Sequence, residues 1–442
     1  MVNIRAPYAW NIWTGDPSFR IAVFDSGIDL GTGDFPDEDP HPALANNLWV
    51  NALESSGTTG VDDDGNGYID DIHGYDFVDG EGDPRHTDAA PAPHGTQVAG
   101  IIGGFGNNSI GVAGLNWVCK IVPLKIMYVG YGEWSNAIAA IEYMRDNGIK
   151  LANVSWSCRE IECLNSSGLC TTISNAQADG LLFVVAAHNQ GQNLDDHPVY
   201  PAACSADNII TVAATTELDG LKNNSNFSQT KVDLGAPGNI SQVFSASRDT
   251  STGAHTYNAF KDTSAATAHV TGVAGLVWSL HPSWTWEQVR DQVLKTVRKT
   301  PRLAGFTVTA GIVDDSGALG DCNLNGIDDA TDIAEETSAD LNNNDFPDEC
   351  EDCDEDGVPD SIDTSPDCND NGLPDSCDIA YGASWDCEPD GVPQQCQPLG
   401  ACCKPNPSCV DITECACYSF GGTWRPFPYK CGTFQCLEII LP

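Results

Sequence analysis

Basic side chains are scarce in this chain: 20 Lys and Arg stand against 63 Asp and Glu in 442 residues, a formal net charge of −43. Between Arg302 and Lys404 there is no Lys or Arg at all. A surface this acidic repels nucleic acid and anionic membrane and excludes both as partners, and it points to bound cations or a salty, exposed setting. Long apolar runs are missing as well, so no segment is expected to span a membrane. The N-terminus has no basic-then-apolar leader; Met1 leads through a polar stretch into an apolar strand. Cysteine, by contrast, is plentiful. The 19 cysteines crowd towards the C-terminus at close spacing, as in a disulfide framework built in an oxidising compartment. Their odd number leaves at least one thiol unpaired if the others bridge within the chain. Secretion is therefore expected, with a leader lost from ahead of Met1. The length exceeds what one compact core holds and predicts two or three domains.

Taken in order, the first 320 residues alternate as an α/β domain does. Arg20 to Asp25 is a continuous apolar run ending in a carboxylate, and open parallel sheets present their chemistry at the C-terminal ends of strands. Further strands are predicted over 120–127, 151–156, 181–187 and 208–214, with helices over 135–147 and 171–179. His94 opens a Gly/Ala-faced helix. Asn189 lies at a strand end as an amide donor, and the stretch Asn153, Ser155, Trp156 and Ser157 can lie as an extended edge beside a bound peptide. Thr263 and Ser264 run into a small-residue helical pattern, which puts the Ser264 hydroxyl at a helix N-terminus, where backbone N–H groups and the dipole favour developing negative charge. Trp286 to Lys299 is amphipathic, with Val289, Val293, Leu294 and Val297 on one face. A Thr-Ser pair alone is an ordinary N-cap, and a lone His is more often structural than catalytic.

Together these residues form an acyl-transfer set. Serine needs a base, the base needs a carboxylate to fix its tautomer, and the tetrahedral oxyanion needs donors. The chain order Asp, His, Ser and the motifs around each residue resemble the subtilisin-like serine peptidases. The resemblance covers residues 1 to about 320 and runs through Asp25-Ser26-Gly27, His41-Pro42-Ala43-Leu44, His94-Gly95-Thr96, Ala186-Ala187-His188-Asn189, Gly235-Ala236-Pro237-Gly238 and Thr263-Ser264 with Ala266, His269 and Gly272. It implies a three-layer fold with a mainly parallel sheet, Ser264 as nucleophile, His94 as general base, Asp25 as orienting carboxylate, and Asn189 with the Ser264 N–H as oxyanion donors. It also implies Asn153 to Ser157 as the substrate-binding strand. An active enzyme should hold the Ser264 hydroxyl within reach of His94 and turn Asp262 away from the oxyanion. Asp262, His188 and Ser157 stand where the family usually has glycine, and each replacement could narrow the site or disturb its backbone. Ala268 stands for a proline, and Ala265 for an oxidisable Met.

Acidic loops form the second theme. Asp62, Asp64, Asn66 and Asp70 alternate around glycine turns, with the Tyr68 carbonyl between them, a spacing that wraps Ca²⁺; position twelve, however, is His73 rather than a carboxylate. From residue 321 the pattern repeats. Positions one, three and five are Asp321, Asn323 and Asn325, then Asp340, Asn342 and Asn344, then Asp352, Asp354 and Asp356, then Asp367, Asn369 and Asn371. Position nine is Asp329, Asp348, Asp360 or Asp375, and position twelve Asp332, Glu351, Asp363 or Asp378. With a carbonyl at seven, these make calcium cages. A fifth repeat from Asp386 is weaker, ending in Gln394 and Gln397. The segment resembles thrombospondin type 3 and dockerin-like repeats, which implies folding only once metal relieves charge repulsion.

The last module, 398–442, holds Cys402, Cys403, Cys409, Cys415, Cys417, Cys431 and Cys436. Lacking paired Cys-x-x-Cys knuckles, it is read as disulfide-bonded rather than zinc-binding, with the pairing open. The expected organisation is thus a peptidase domain over 1–320, calcium repeats over 321–397 and a Cys-rich module over 398–442. The expected protein is a monomeric, secreted, calcium-stabilised endopeptidase acting on proteins or peptides. The rival is a calcium-dependent adhesion protein on an inactive scaffold.

Overall fold

The apolar run ending at Asp25 is the inner half of a longer strand, β1 (Gly15–Asp25), and its period-two alternation builds the domain. Ile21 and Val23 face one apolar core, Ala22 and Phe24 the other. The same split recurs at Leu182 and Val184 against Phe183 and Val185. A strand buried on both faces reads as continuous hydrophobicity because each face meets its own layer of helices.

The computed structural model describes residues 4–31, 39–86, 93–128, 131–159, 166–239, 243–249 and 252–341, and beyond these 343, 346–352, 358–359, 362–368, 374–380, 393, 396–397, 399–403, 409–412, 417, 423–425 and 431. Two compact units divide the chain, residues 1–335 and 336–442. In the first, strands β1, β2 (Tyr75–Asp76), β3 (Val118–Lys125), β4 (Leu151–Val154), β5 (Leu182–Ala186), β6 (Ile209–Thr215), β7 (Leu234–Pro237), β8 (Arg298–Lys299) and β9 (Gly311–Ile312) form one nine-stranded sheet. Their order is β8-β9-β7-β6-β5-β4-β1-β3-β2. Every pairing is parallel except that of β8 with β9. Its helices include α1 (Ala6–Ile12), α2 (Ala52–Ser56), α3 (His94–Gly103), α4 (Trp134–Asp146), α5 (Ser166–Asn175), α6 (Asp262–Leu280) and α7 (Trp286–Lys295). Residues of α3, α6 and α7 share one core, those of α4 and α5 the other. This is the three-layer arrangement expected.

Helix α6 is the centre of that first layer: every residue from Thr263 to Ser279 is buried. Small side chains let it lie that deep, and Leu276, Val277 and Trp278 fill the space they leave. Two expectations shift. The amphipathic run Trp286–Lys299 ends as a helix at Lys295; Thr296 caps it, Val297 is buried, and Arg298–Lys299 crosses to the sheet edge against Gly311–Ile312. Consecutive β-branched residues weaken the helix there, while an open edge offers backbone partners. The helix expected over 171–179 lies earlier, at Ser166–Asn175, in a segment where Cys170 is bridged to Cys204.

In the second unit, Gly400–Cys403 pairs antiparallel with both Cys409–Ile412 and Thr423–Arg425. Disulfides join Cys368 to Cys396, Cys402 to Cys417 and Cys409 to Cys431. The unpaired thiol among the described residues is Cys119, buried in the first unit, where burial pushes it up to about 12. No helix among the described residues is long and apolar enough to cross a membrane.

Candidate active site

The neighbouring strands β5, β4 and β1 end side by side, and each delivers one candidate residue: Asn189 just past β5, Ser155 just past β4, and Asp25 as the last residue of β1. Asp25 is wholly buried. His94 opens α3 straight after Pro93, and Gly95 lets the helix start against β1, because a Cβ there would collide with the Gly27 carbonyl oxygen. As a result His94 Nδ1 lies 2.9 and 2.8 Å from the two carboxylate oxygens of Asp25. A carboxylate only accepts, so Nδ1 carries the proton and Nε2 keeps its lone pair. Burial pulls the imidazole down, but the charge and hydrogen bonds of Asp25 outweigh it and hold His94 above its ordinary value. The Ser26 N–H donates to Asp25 Oδ1 at 2.7 Å, and Phe260 packs edge-on to the imidazole at 5.3 Å.

Ser264 occupies the first turn of α6 and is 8% exposed. Its hydroxyl was expected to reach His94. Instead it donates to the Ser155 carbonyl at 3.3 Å, and no hydrogen bond joins it to His94 among the described residues. Asn189 is tied to the same turn: its Oδ1 accepts the Thr263 N–H at 3.0 Å and the Thr263 hydroxyl at 2.9 Å. Two donors on the oxygen fix the amide's orientation and leave its NH₂ facing away from them. The first N–H groups of a helix lack partners within it. Those of Asp262 and Thr263 are taken by Gly238 O and Asn189, while no acceptor meets the Ser264 N–H among the described residues.

Asp262 and His188, two of the replaced glycines, sit at φ 69° and 77°, the left-handed region glycine adopts freely. Both residues hold there, at some cost, a backbone conformation that glycine takes freely. The Asp262 carboxylate is drawn to the Lys222 ammonium and to Asn224 Nδ2, the latter at 3.0 Å. Burial raises Asp262, but these partners more than offset it and hold its carboxyl below the usual range.

The expected substrate strand divides. Asn153 needs correcting: its side chain is wholly buried, accepts from the Thr271 hydroxyl at 2.9 Å and donates to Ser155 Oγ at 2.8 Å, so it joins β4 to α6 and cannot touch a substrate. Ser155 Oγ in turn donates to the Ser264 carbonyl at 3.2 Å. Trp156 packs edge-on to Trp134 at 6.4 Å. The Trp156 indole nitrogen and the Ser157 hydroxyl are buried without hydrogen-bond partners among the described residues.

In the first acidic loop, oxygens of Asp62, Asp64 and Glu54 lie within 4.8 Å of one another. Glu54 was missed in the sequence because it comes from α2, outside the loop's register; it brings a carboxylate where the loop has His73 at position twelve. His73 points elsewhere, with Nδ1 2.7 Å from the Trp49 carbonyl oxygen. Asn66 Nδ2 donates to Asp64 Oδ2 at 3.1 Å, while Asp70 stands outside the grouping and accepts the Gly60 N–H at 2.8 Å. A further trio, Asp76, Asp79 and Glu81, already has a cation: buried Lys125 lies 2.5 Å from Asp76 and 3.6 Å from Asp79.

The tail repeats share a construction that the sequence did not reveal. The position-nine N–H donates to the residue before position one, Asp329 to Gly320, Asp348 to Ala339 and Asp375 to Pro366, at 2.7, 2.9 and 2.7 Å. The position-two N–H donates to the position-nine carboxylate, Cys322 to Asp329, Leu341 to Asp348 and Cys368 to Asp375, at 3.0, 2.9 and 3.0 Å. Expected as plain ligands, these buried aspartates also close their loops. In the first repeat Asp321, Asp329 and Asp332 are all buried, Asp321 accepts the Asn325 and Gly326 N–H groups, and Asn323 and Asn325 turn their amides onto Asp332. Burial and the neighbouring carboxylates push Asp329 up to about 7. Asp340, Glu351, Asp352, Asp363 and Asp367 are described; Asn342, Asn344, Asp354, Asp356, Asp360, Asn369, Asn371 and the side chain of Asp378 lie outside the described residues.

Residues 16–326 match the subtilase family. The chain is similar to subtilisin-like protease 1 of Plasmodium berghei, 32% identical over 67% of this chain and 48% of that protein. It is similar also to thermitase of Thermoactinomyces vulgaris, 32% identical over 63% and 80% of the two chains. An extracellular protease of Xanthomonas campestris is 31% identical over 72% and 53%. The chain thus spans about half the length of the Plasmodium and Xanthomonas relatives. Among solved structures, a protease of Pseudoalteromonas arctica superposes with a TM-score of 0.57 at 24% identity, covering 72% of this chain and 93% of that one, a likeness of fold.

Proposed function

The chain belongs to the subtilase family, and from that premise we propose that it is a secreted serine endopeptidase cleaving proteins or peptides through an acyl-enzyme at Ser264. The observation that carries this reading is the pairing of His94 Nδ1 with both oxygens of Asp25, which leaves the Nε2 lone pair to act as the base. Ser264 turns about χ1 from the Ser155 carbonyl to give its proton to Nε2 as Oγ attacks the scissile carbonyl; hydrogen bonds of this kind commonly tighten only with substrate in place. His94 then returns the proton to the leaving amine, and Asp25 holds the imidazolium. The Asn189 NH₂ and the Ser264 N–H receive the oxyanion, each such donor contributing about 10²–10³ in turnover. Ser155, Trp156 and Ser157 border the substrate.

The carboxylates of Glu54, Asp62 and Asp64 fit a hard cation, and calcium is the ion this oxygen donor set would take. The buried Asp321, Asp329 and Asp332 make the same case in the tail. Bound there, calcium offsets the repulsion between carboxylates and stabilises the loops. The Xanthomonas relative is named an extracellular protease, and this with the disulfides supports secretion. In this reading residues 1–320 form the peptidase domain, 321–397 the calcium repeats and 398–442 a disulfide-bonded module, in a monomer. The engagement of Ser264 with Ser155 rather than His94 favours one rival, an inactive binding scaffold. Fluorophosphonate labelling in calcium decides between them: label lost in Ser264→Ala is the enzyme's outcome, and folded wild type that takes no label is the scaffold's.

A further inference from the structure

Both proposed oxyanion donors depend on a loop that carries no catalytic group. Resting on the assignment of Asn189 and the Ser264 N–H to the oxyanion, we infer that the loop 222–226 is a clamp on the oxyanion site, with Lys222, Asn224 and Asn226 as positioning residues that hold the Asn189 turn and draw the Asp262 carboxylate away from the reacting charge.

On the Asn189 side, Asn226 is wholly buried and both ends of its amide are bonded to the turn. Its Oδ1 accepts the N–H groups of Gln190 and Gln192, both at 3.0 Å, and its Nδ2 donates to Gln190 Oε1 at 2.9 Å. The Asn226 N–H donates to the His188 carbonyl at 2.9 Å, and the Gly191 N–H donates to the Asn224 carbonyl at 2.8 Å. The turn from His188 to Gln192 is thereby bonded at four places to a neighbouring loop. It needs this support, since His188 is left-handed, and it runs so close that a Cβ on Gly191 would lie 2.9 Å from the Asn223 carbonyl oxygen.

On the Ser264 side, Asp262 stands two residues before the nucleophile. Unpaired, its negative charge would oppose the oxyanion, because electrostatic stabilisation depends on charges fixed before the reaction. The Lys222 ammonium bonds both Asp262 Oδ1 and Asn224 Oδ1, the latter at 2.7 Å, and Asn224 Nδ2 closes the triangle on Asp262 Oδ1 at 3.0 Å. Lys222 and Asp262 are largely shielded, their side chains 18% and 20% exposed, so the pair is screened less than a surface one. The lysine itself is anchored, its N–H donating to the Ala214 carbonyl at 2.9 Å. Asp262 and Lys222 therefore act as a unit: the acid is tolerated at this position because the base is there.

The test is steady-state hydrolysis of a peptide amide in saturating calcium, with thermal midpoints recorded for every variant. Lys222→Met is expected to lower kcat about tenfold with KM within about twofold, and Lys222→Arg to keep wild-type kcat. Removing the acid should remove the need for the base, so the double variant Lys222→Met/Asp262→Gly is expected within about threefold of wild type. Asn226→Ala, which frees the Asn189 turn and leaves Asp262 alone, is expected to lower kcat at least about tenfold with KM held, a loss that the Asp262→Gly change does not restore. Equal kcat in wild type and folded Lys222→Met, or a double variant no better than Lys222→Met, overturns the clamp while the peptidase reading stands. Should Lys222→Met not fold, the double variant and Asn226→Ala decide by the same criteria. Wild type without Ser264-dependent turnover overturns the peptidase reading, and the clamp with it.

Discussion

His94 sets how activity should respond to pH. As a base it works only when neutral, and Asp25 holds its imidazole above the ordinary value. Protonation on acidification therefore removes activity at a higher pH than for a free histidine, so the acid limb of kcat/KM is expected to fall through a midpoint above 6.5. A pH–rate profile measures this directly. Asp25→Asn leaves an isosteric amide whose NH₂ cannot accept the Nδ1 proton and favours the wrong tautomer; kcat is expected to drop about 10⁴-fold with the fold intact, checked by turnover and circular dichroism together. Asp25, His94, Asn189 and Ser264 are legible in sequence because each lies inside a short motif that also shapes its backbone. Lys222 and Asn226 are not, since nothing local distinguishes a surface-loop lysine from one that neutralises a carboxylate 40 residues away.

Helix α6 shows how an element turns sequence into position. Its small residues let it lie deep against the sheet with α3 beside it, so the site at its N-terminus is carried by one of the best-buried segments of the domain. Leu276→Ala, at a position with no exposure, is expected to cost about 2–5 kcal/mol in urea or thermal unfolding. Helix α7 is held at its start by a capping box in which Thr285 and Gln288 bond each other's backbone; Thr285→Ala should cost about 1 kcal/mol by the same measurement. For the loop following α2, Glu54 accepts three backbone N–H groups, from Asp63, Asp64 and Asp70, besides facing Asp62 and Asp64. Glu54→Gln is expected to shrink the rise in thermal midpoint that calcium gives over EDTA, whereas a loop that needs no cation would respond equally in both proteins.

At the scale of the whole molecule, the net charge of −43 is the dominant fact. Such a field should favour cationic peptides over neutral ones of matched length, and the preference in kcat/KM is expected to fade as ionic strength rises and the Debye length shortens to about 8 Å near 0.15 M. Composition and spacing were enough for the α/β class and the register of the acidic repeats, because these follow from local chain geometry: period two in strands, alternating oxygens around a glycine turn. The proposed catalytic residues came instead from the resemblance of their motifs to a family. Only the tertiary structure decided that Glu54 joins Asp62 and Asp64, that Asn153 is buried, that Arg298–Lys299 leaves the helix for the sheet edge, and that Asp262 meets Lys222. Each of these depends on where a distant segment returns in space, and the spacing of residues along the chain does not encode that return.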